Sequence, residues 1–129
     1  MARILLADDD PVLLEVVRYK LEGLGHAVRA APNGISALSF ARAHLPNLII
    51  LDHMMPLLSG IEVVDELQNC TDTRDIPIVM LTACADHANV ITALRAGVTD
   101  YITKPFALAE LVVRIDLALE KNGNSRAAQ

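Results

Sequence analysis

Residues 47–52 read NLIILD, an unbroken apolar run that stops at Asp52. A strand with one face in water alternates apolar and polar residues. A run that is apolar throughout suits a strand covered on both faces, as in a parallel sheet flanked by helices. RILLA (3–7) and IVMLT (78–82) have the same character, and Pro77 stands where a strand start tolerates a missing N–H. Two weaker strands complete the set: HAVRAA (26–31) and VTDYITK, which ends at Lys104.

Helical periodicity fills the gaps. Asp10 followed by Pro11 is a helix-start signal, a capping carboxylate before proline at the first helical position. Leu14, Val17, Leu21 and Leu24 then share one face, and Gly25 is a natural stop. Asn33-Gly34 marks a turn into a helix carrying Ile35, Leu38 and Ala41, which runs to about His44 before Pro46. Pro56 and Gly60 punctuate a loop before a short helix with Val63, Val64 and Leu67. Residues 87–96 form a fourth helix, with Val90, Ala93 and Leu94. The fifth carries Leu108, Leu111, Val112, Ile115 and Leu119. Strand and helix alternate five times, which gives an α/β fold: a doubly wound, five-stranded parallel sheet with right-handed crossovers. The domain is expected over 1–121, and 122–129 (NGNSRAAQ, with Lys121 before it) as a flexible tail or the start of a linker.

At 129 residues and 53% hydrophobic, the chain suits one domain with one real core. Its net charge of −5, without a Lys/Arg cluster, argues against this segment gripping nucleic acid. No apolar run approaches a membrane span, and the N-terminus lacks the pattern of a signal peptide. Cys70 and Cys84 lack CxxC spacing and read as reduced thiols. A cytoplasmic protein is expected.

Ligand sites of open α/β sheets lie beyond the carboxyl ends of the strands. Asp8 and Asp9 end the first strand, Asp52 the third, Thr82 the fourth and Lys104 the fifth. Any one of these alone reads as a turn former or cap, and Asp10 is best read as the cap of the first helix. Together they bring three acids, a hydroxyl and an ammonium to one edge. Clustered carboxylates raise one another's pKa unless a cation joins them. A few hard oxygen ligands suit Mg2+. Such a cation beside a free carboxylate, a lysine and a hydroxyl is a place to handle a phosphoryl group, with one Asp as nucleophile.

At these positions the chain resembles the receiver domain of two-component response regulators. The resemblance covers about residues 2 to 121 and rests on DDD after the first strand, LDHMMPLLSG around Asp52, MLTA after the fourth and DYITKPF at the fifth. It implies a flavodoxin-like sheet in the order 2-1-3-4-5. It implies Asp52 as phosphoacceptor, with Asp8, Asp9, Asp52 and the backbone carbonyl of Met54 around Mg2+, for which Mn2+ could substitute. Thr82 and Lys104 would contact the phosphoryl group, Tyr101 would be the switch aromatic and Pro105 a structural cis-proline. The implied partners are a sensor histidine kinase or phosphotransfer protein, and a second copy through the fourth helix, fifth strand and fifth helix. The implied activity is self-catalysed phosphate acceptance and loss, not turnover of a substrate.

His53 departs from the family pattern, which usually has an apolar residue there. His26, His44, His53 and His87 show no paired spacing, so His53 reads as incidental rather than metal-binding. The strongest rival is a phosphohydrolase of the haloacid dehalogenase type, which Asp8 and Asp10 fit nominally as D-x-D; it leaves Asp52 and the KPF turn unexplained. A nucleotide-binding fold lacks its G-x-G-x-x-G.

Overall fold

The computed structural model describes the backbone of residues 1–83 and 87–127, and the side chains of 1–83 and 90–120. The elements alternate throughout: β1 (Arg3–Ala7), α1 (Pro11–Gly23), β2 (Ala27–Ala31), α2 (Gly34–His44), β3 (Leu48–Asp52), α3 (Gly60–Gln68), β4 (Ile78–Thr82), α4 (His87–Ala96), β5 (Asp100–Thr103) and α5 (Leu108–Ala127). The five strands form one sheet in the order β2-β1-β3-β4-β5, and every neighbouring pair is parallel. The α/β doubly wound architecture and the order 2-1-3-4-5 are therefore as expected.

The apolar runs occupy the middle of the sheet because only there are both faces covered. Every residue of β3 and β4 is buried. Successive side chains alternate between two cores. Ile4, Leu6, Leu48, Ile50, Val79 and Leu81 meet Val17 and Leu21 of α1 and Leu111 and Ile115 of α5. Leu5, Ala7, Ile49, Leu51, Ile78 and Met80 meet α2, α3 and α4 through residues such as Leu38, Val64 and Ala93. Each such Leu or Ile is worth about 1.5–3 kcal/mol when fully buried. At the edge, β2 buries only Val28 and Ala31, which explains its weaker signature.

Local chemistry sets the helix ends. The Asp10 carboxylate accepts from the amides of Val12 and Leu13, with Pro11 opening α1. The helix closes through Gly25, at φ 96°, where the amides of Gly25 and His26 donate to the carbonyls of Glu22 and Leu21. Ser59 and Glu62 cap α3 reciprocally. The backbone of α5 stays helical to Ala127, past Asn122 where the sequence suggests a tail; no proline follows Lys121 to stop it. No helix among the described residues is long and apolar enough to cross a membrane.

Candidate functional site

Sheet register brings the strand ends to one edge. Ala7 pairs with Leu51, so the next residues, Asp8 and Asp52, emerge side by side; Asp52 pairs with Leu81, and Thr82 with Thr103. The ladder continues beyond β5, where the Lys104 amide donates to the Thr82 carbonyl at 2.7 Å. Lys104 thus follows β5 rather than ending it, yet still reaches the edge. Strand β2 contributes no polar side chain to this edge; its last carbonyl, of Ala31, accepts from the Asp8 amide at 3.1 Å.

Asp8 is fully buried, and Asp52 and Thr82 are 5% and 4% exposed, while Asp9 is exposed. The Asp8 carboxylate accepts from the Asp10 amide at 2.9 Å through Oδ1 and from Lys104 Nζ at 2.8 Å through Oδ2. The same Nζ lies 3.3 Å from Asp52 Oδ1. That oxygen also accepts from the Met54 amide, in a long bond of 3.4 Å. One lysine therefore bridges two carboxylates, one just past the end of β1 and one at the end of β3. Asp8, Asp9 and Asp52 each offer an oxygen, and these atoms all lie within 4.8 Å of one another. Asp10 stays outside this group and caps α1 instead.

Burial, and then the neighbouring Asp8 carboxylate, push the Asp52 pKa up to about 6; the Lys104 ammonium and the Met54 amide pull the other way. Burial works against the charge of Lys104, but its hydrogen bond to Asp8 and the charges of Asp52 and Asp8 outweigh it and hold the pKa above the ordinary lysine value. One ammonium does not fully offset two carboxylates in a partly desolvated site. An all-oxygen, carboxylate-rich donor set of this kind fits a hard divalent cation such as Mg2+.

The Lys104–Pro105 peptide is cis. Tyr101 is half-buried and packs against the core beneath α2–α4. Met54, whose amide reaches Asp52, is 64% exposed. Cys84 lies outside the described residues, as does the side chain of His87. His53 follows Asp52; its Nδ1 is buried with no hydrogen-bond partner among the described residues. A Cβ added to Gly60 would lie 2.5 Å from the Asp52 carbonyl oxygen, so α3 starts hard against this strand end. The sequence shows Gly60 only as loop punctuation. By contrast, the reciprocal cap of α3 has a sequence signal, Ser59-x-x-Glu62. Arg114 of α5 binds both oxygens of Asp100 on β5, at 3.1 and 3.0 Å, a pairing that no local pattern reveals.

Fold and site together define a doubly wound α/β domain with a cation-ready acidic edge neutralised in part by lysine. The chain belongs to the response-regulator receiver family: the family model described as "Response regulator receiver domain" matches residues 4–116. It is 40% identical to the transcriptional regulatory protein CseB of Streptomyces avermitilis, over 98% of this chain and 54% of that protein. It is 39% identical to the response regulator MprA of Mycobacterium leprae, over 98% of this chain and 55% of that protein. The chain thus spans about half the length of these curated relatives. Among solved structures, it resembles a CheY-like receiver domain protein from Methanospirillum hungatei, with a TM-score of 0.91 and 26% identity over 97% of this chain and 98% of that one. The receiver domain of the Francisella response regulator 1452 superposes with a TM-score of 0.88 and 30% identity, over 94% of this chain and 98% of that one. This is a signal-transduction domain of the two-component type. The relatives are transcriptional regulators and receivers rather than hydrolases, which sets the haloacid dehalogenase alternative aside.

Proposed function

We propose that Asp52 accepts a phosphoryl group from a phosphohistidine on a sensor kinase or phosphotransfer protein, in the cytoplasm, with Mg2+ bound by Asp8, Asp9, Asp52 and the Met54 carbonyl. The observation that carries this reading is the convergence of three carboxylate oxygens within 4.8 Å with Lys104 bridging Asp8 and Asp52. A bound divalent cation supplies positive charge for the phosphoryl oxygens. Mn2+ offers the same hard acceptor for oxygen ligands.

The chain's own groups do the rest. The Asp52 carboxylate attacks phosphorus while the phosphorus–nitrogen bond to the donor imidazole breaks, its electron pair staying on nitrogen. Lys104 neutralises charge on the transferred group, and the Thr82 hydroxyl donates to it. Drawing Thr82 inward leaves space for Tyr101, which shifts the population between two packings of α4, β5 and α5. That face then meets an output partner or domain, or a second copy of this chain. No substrate is turned over beyond the phosphoryl group gained and later lost.

The test is intact mass before and after treatment with acetyl phosphate and Mg2+. A gain of one phosphoryl mass in the wild type and none in Asp52→Asn supports the reading. A gain at full yield in Asp52→Asn overturns it.

A further inference from the structure

Gly34 opens α2 immediately after its cap, Asn33. Its φ lies outside the left-handed region, unlike those of Gly25 and Gly97, so backbone conformation does not call for glycine here. Close approach does. A Cβ on Gly34 would run into the carbonyl oxygen of Leu58 and lie 2.7 Å from its carbonyl carbon and 2.6 Å from its Cβ. Main-chain atoms cannot rotate aside as the end of a flexible side chain can, so one of the two backbones would have to move.

The α2 side of this contact is firmly held. Asn33 Oδ1 accepts from the Ser36 amide at 2.8 Å and the Asn33 carbonyl from Ala37 at 3.1 Å, while Ala37, Leu38 and Ala41 are buried in the core. The other side is the loop between β3 and α3. Its exit is pinned, because Gly60 donates to the His53 carbonyl at 2.9 Å and packs against Asp52. Between these points lie Met54, whose amide donates to Asp52 Oδ1, and Leu57, held at φ 72°. A push on Leu58 therefore travels back along a short, pinned loop to the main chain of Met54.

We infer that Gly34 is a positioning residue for the cation site: its missing side chain lets α2 seat Leu58 where the loop holds the Met54 main chain beside Asp52. This rests on the reading of Asp8, Asp9, Asp52 and Met54 as the Mg2+ site. A glycine needed only for packing would affect stability alone; a positioning glycine affects affinity in molecules that are fully folded.

The experiment is a Mg2+ titration of the wild type, Gly34→Ala and Gly23→Ala, followed by calorimetry and amide NMR at a temperature where circular dichroism shows each to be native. Gly23 has nothing within 4 Å of an added Cβ and serves as the control. Displacing a supporting group typically costs 10–100-fold in metal affinity, so the dissociation constant of Gly34→Ala should rise about 10-fold while Gly23→Ala matches the wild type. A lowered melting temperature with an unchanged dissociation constant overturns the inference. Coupling is reciprocal, so Mg2+ should also shift the Gly34 and Leu58 amide resonances of the wild type and leave Gly25 in place. This second measurement decides the matter if Gly34→Ala fails to fold: unmoved Gly34 and Leu58 resonances overturn the inference. A wild type that binds no Mg2+ overturns the site reading, and this inference with it.

Discussion

The Lys104 ammonium donates to the Asp8 carboxylate at 2.8 Å across 96 positions of sequence. Because the same nitrogen reaches Asp52, its charge lets two acids share a largely buried edge. On the proposed reading, lysine, cation and phosphoryl group act on one electrostatic balance.

Removing that charge should be costly in the absence of metal. Lys104→Met leaves Asp8 and Asp52 facing each other without an ammonium. Deleting one partner of a buried pair costs about 3–5 kcal/mol. The Lys104 side chain is 22% exposed, so water screens part of this, and Asp52 can take up a proton. The expected loss is about 2 kcal/mol at pH 7.5 in EDTA, measured by urea unfolding. Mg2+ should stabilise the variant more than the wild type. Equal stability of the two proteins in EDTA would show that the lysine does not offset this repulsion.

The pH dependence follows from the raised pKa of Asp52, about 6 against an ordinary 3.8. Between those values the folded chain holds a proton that the unfolded chain releases. The contribution of Asp52 to metal-free stability is therefore most favourable below pH 3.8, declines as pH rises to about 6 and is level above it. Asp52→Asn lacks this titration, while the other acids remain in both proteins. Melting temperatures in EDTA from pH 4.5 to 7.5 should show the wild type losing ground to Asp52→Asn as pH rises. A constant difference across that range would mean that the buried carboxylate carries no charge penalty.

What is legible in the sequence depends on how local its cause is. β1, β3 and β4 are plain because burial on both faces leaves an unbroken apolar run, and the Asp10-Pro11 start of α1 is plain because a cap is a short-range device. Asp8, Asp52, Thr82 and Lys104 converge by a rule about strand ends and by family resemblance; no local pattern pairs Lys104 with Asp8. The approach of Gly34 to Leu58 depends on how α2 seats against a loop, which a lone glycine letter does not encode. The positive φ of Leu57 is invisible for a related reason, since leucine is an improbable choice for that conformation.

Leu57 gives a test of stored backbone strain. It sits at φ 72°, and the Leu58 amide closes a three-residue turn onto the Pro56 carbonyl at 2.8 Å. A side chain in this region costs about 1–2 kcal/mol, and burial does little to offset it because Leu57 is 73% exposed. In ordinary backbone, glycine is less stable than alanine by about 0.5–1 kcal/mol. At position 57 the order should reverse, with Leu57→Gly more stable than Leu57→Ala by about 1 kcal/mol in thermal or urea unfolding. Alanine proving the more stable would show that the turn is unstrained.

The lifetime of the signal should depend on Met54. Loss of the phosphoryl group from Asp52 needs a water in line with the phosphorus–oxygen bond, and a polar neighbour can hold that water where an apolar one cannot. Met54 stands two residues beyond Asp52, is 64% exposed and carries a thioether, a weak acceptor with no proton to donate. Slow self-dephosphorylation is expected, and Met54→Asn should speed it severalfold by supplying both a donor and an acceptor. The check is the decay of phosphorylated protein after the donor is removed, at fixed Mg2+, with Met54→Leu as an apolar control of similar size. Faster decay in Met54→Asn alone supports water placement. Equal decay in all three proteins would show that bulk solvent access sets the rate.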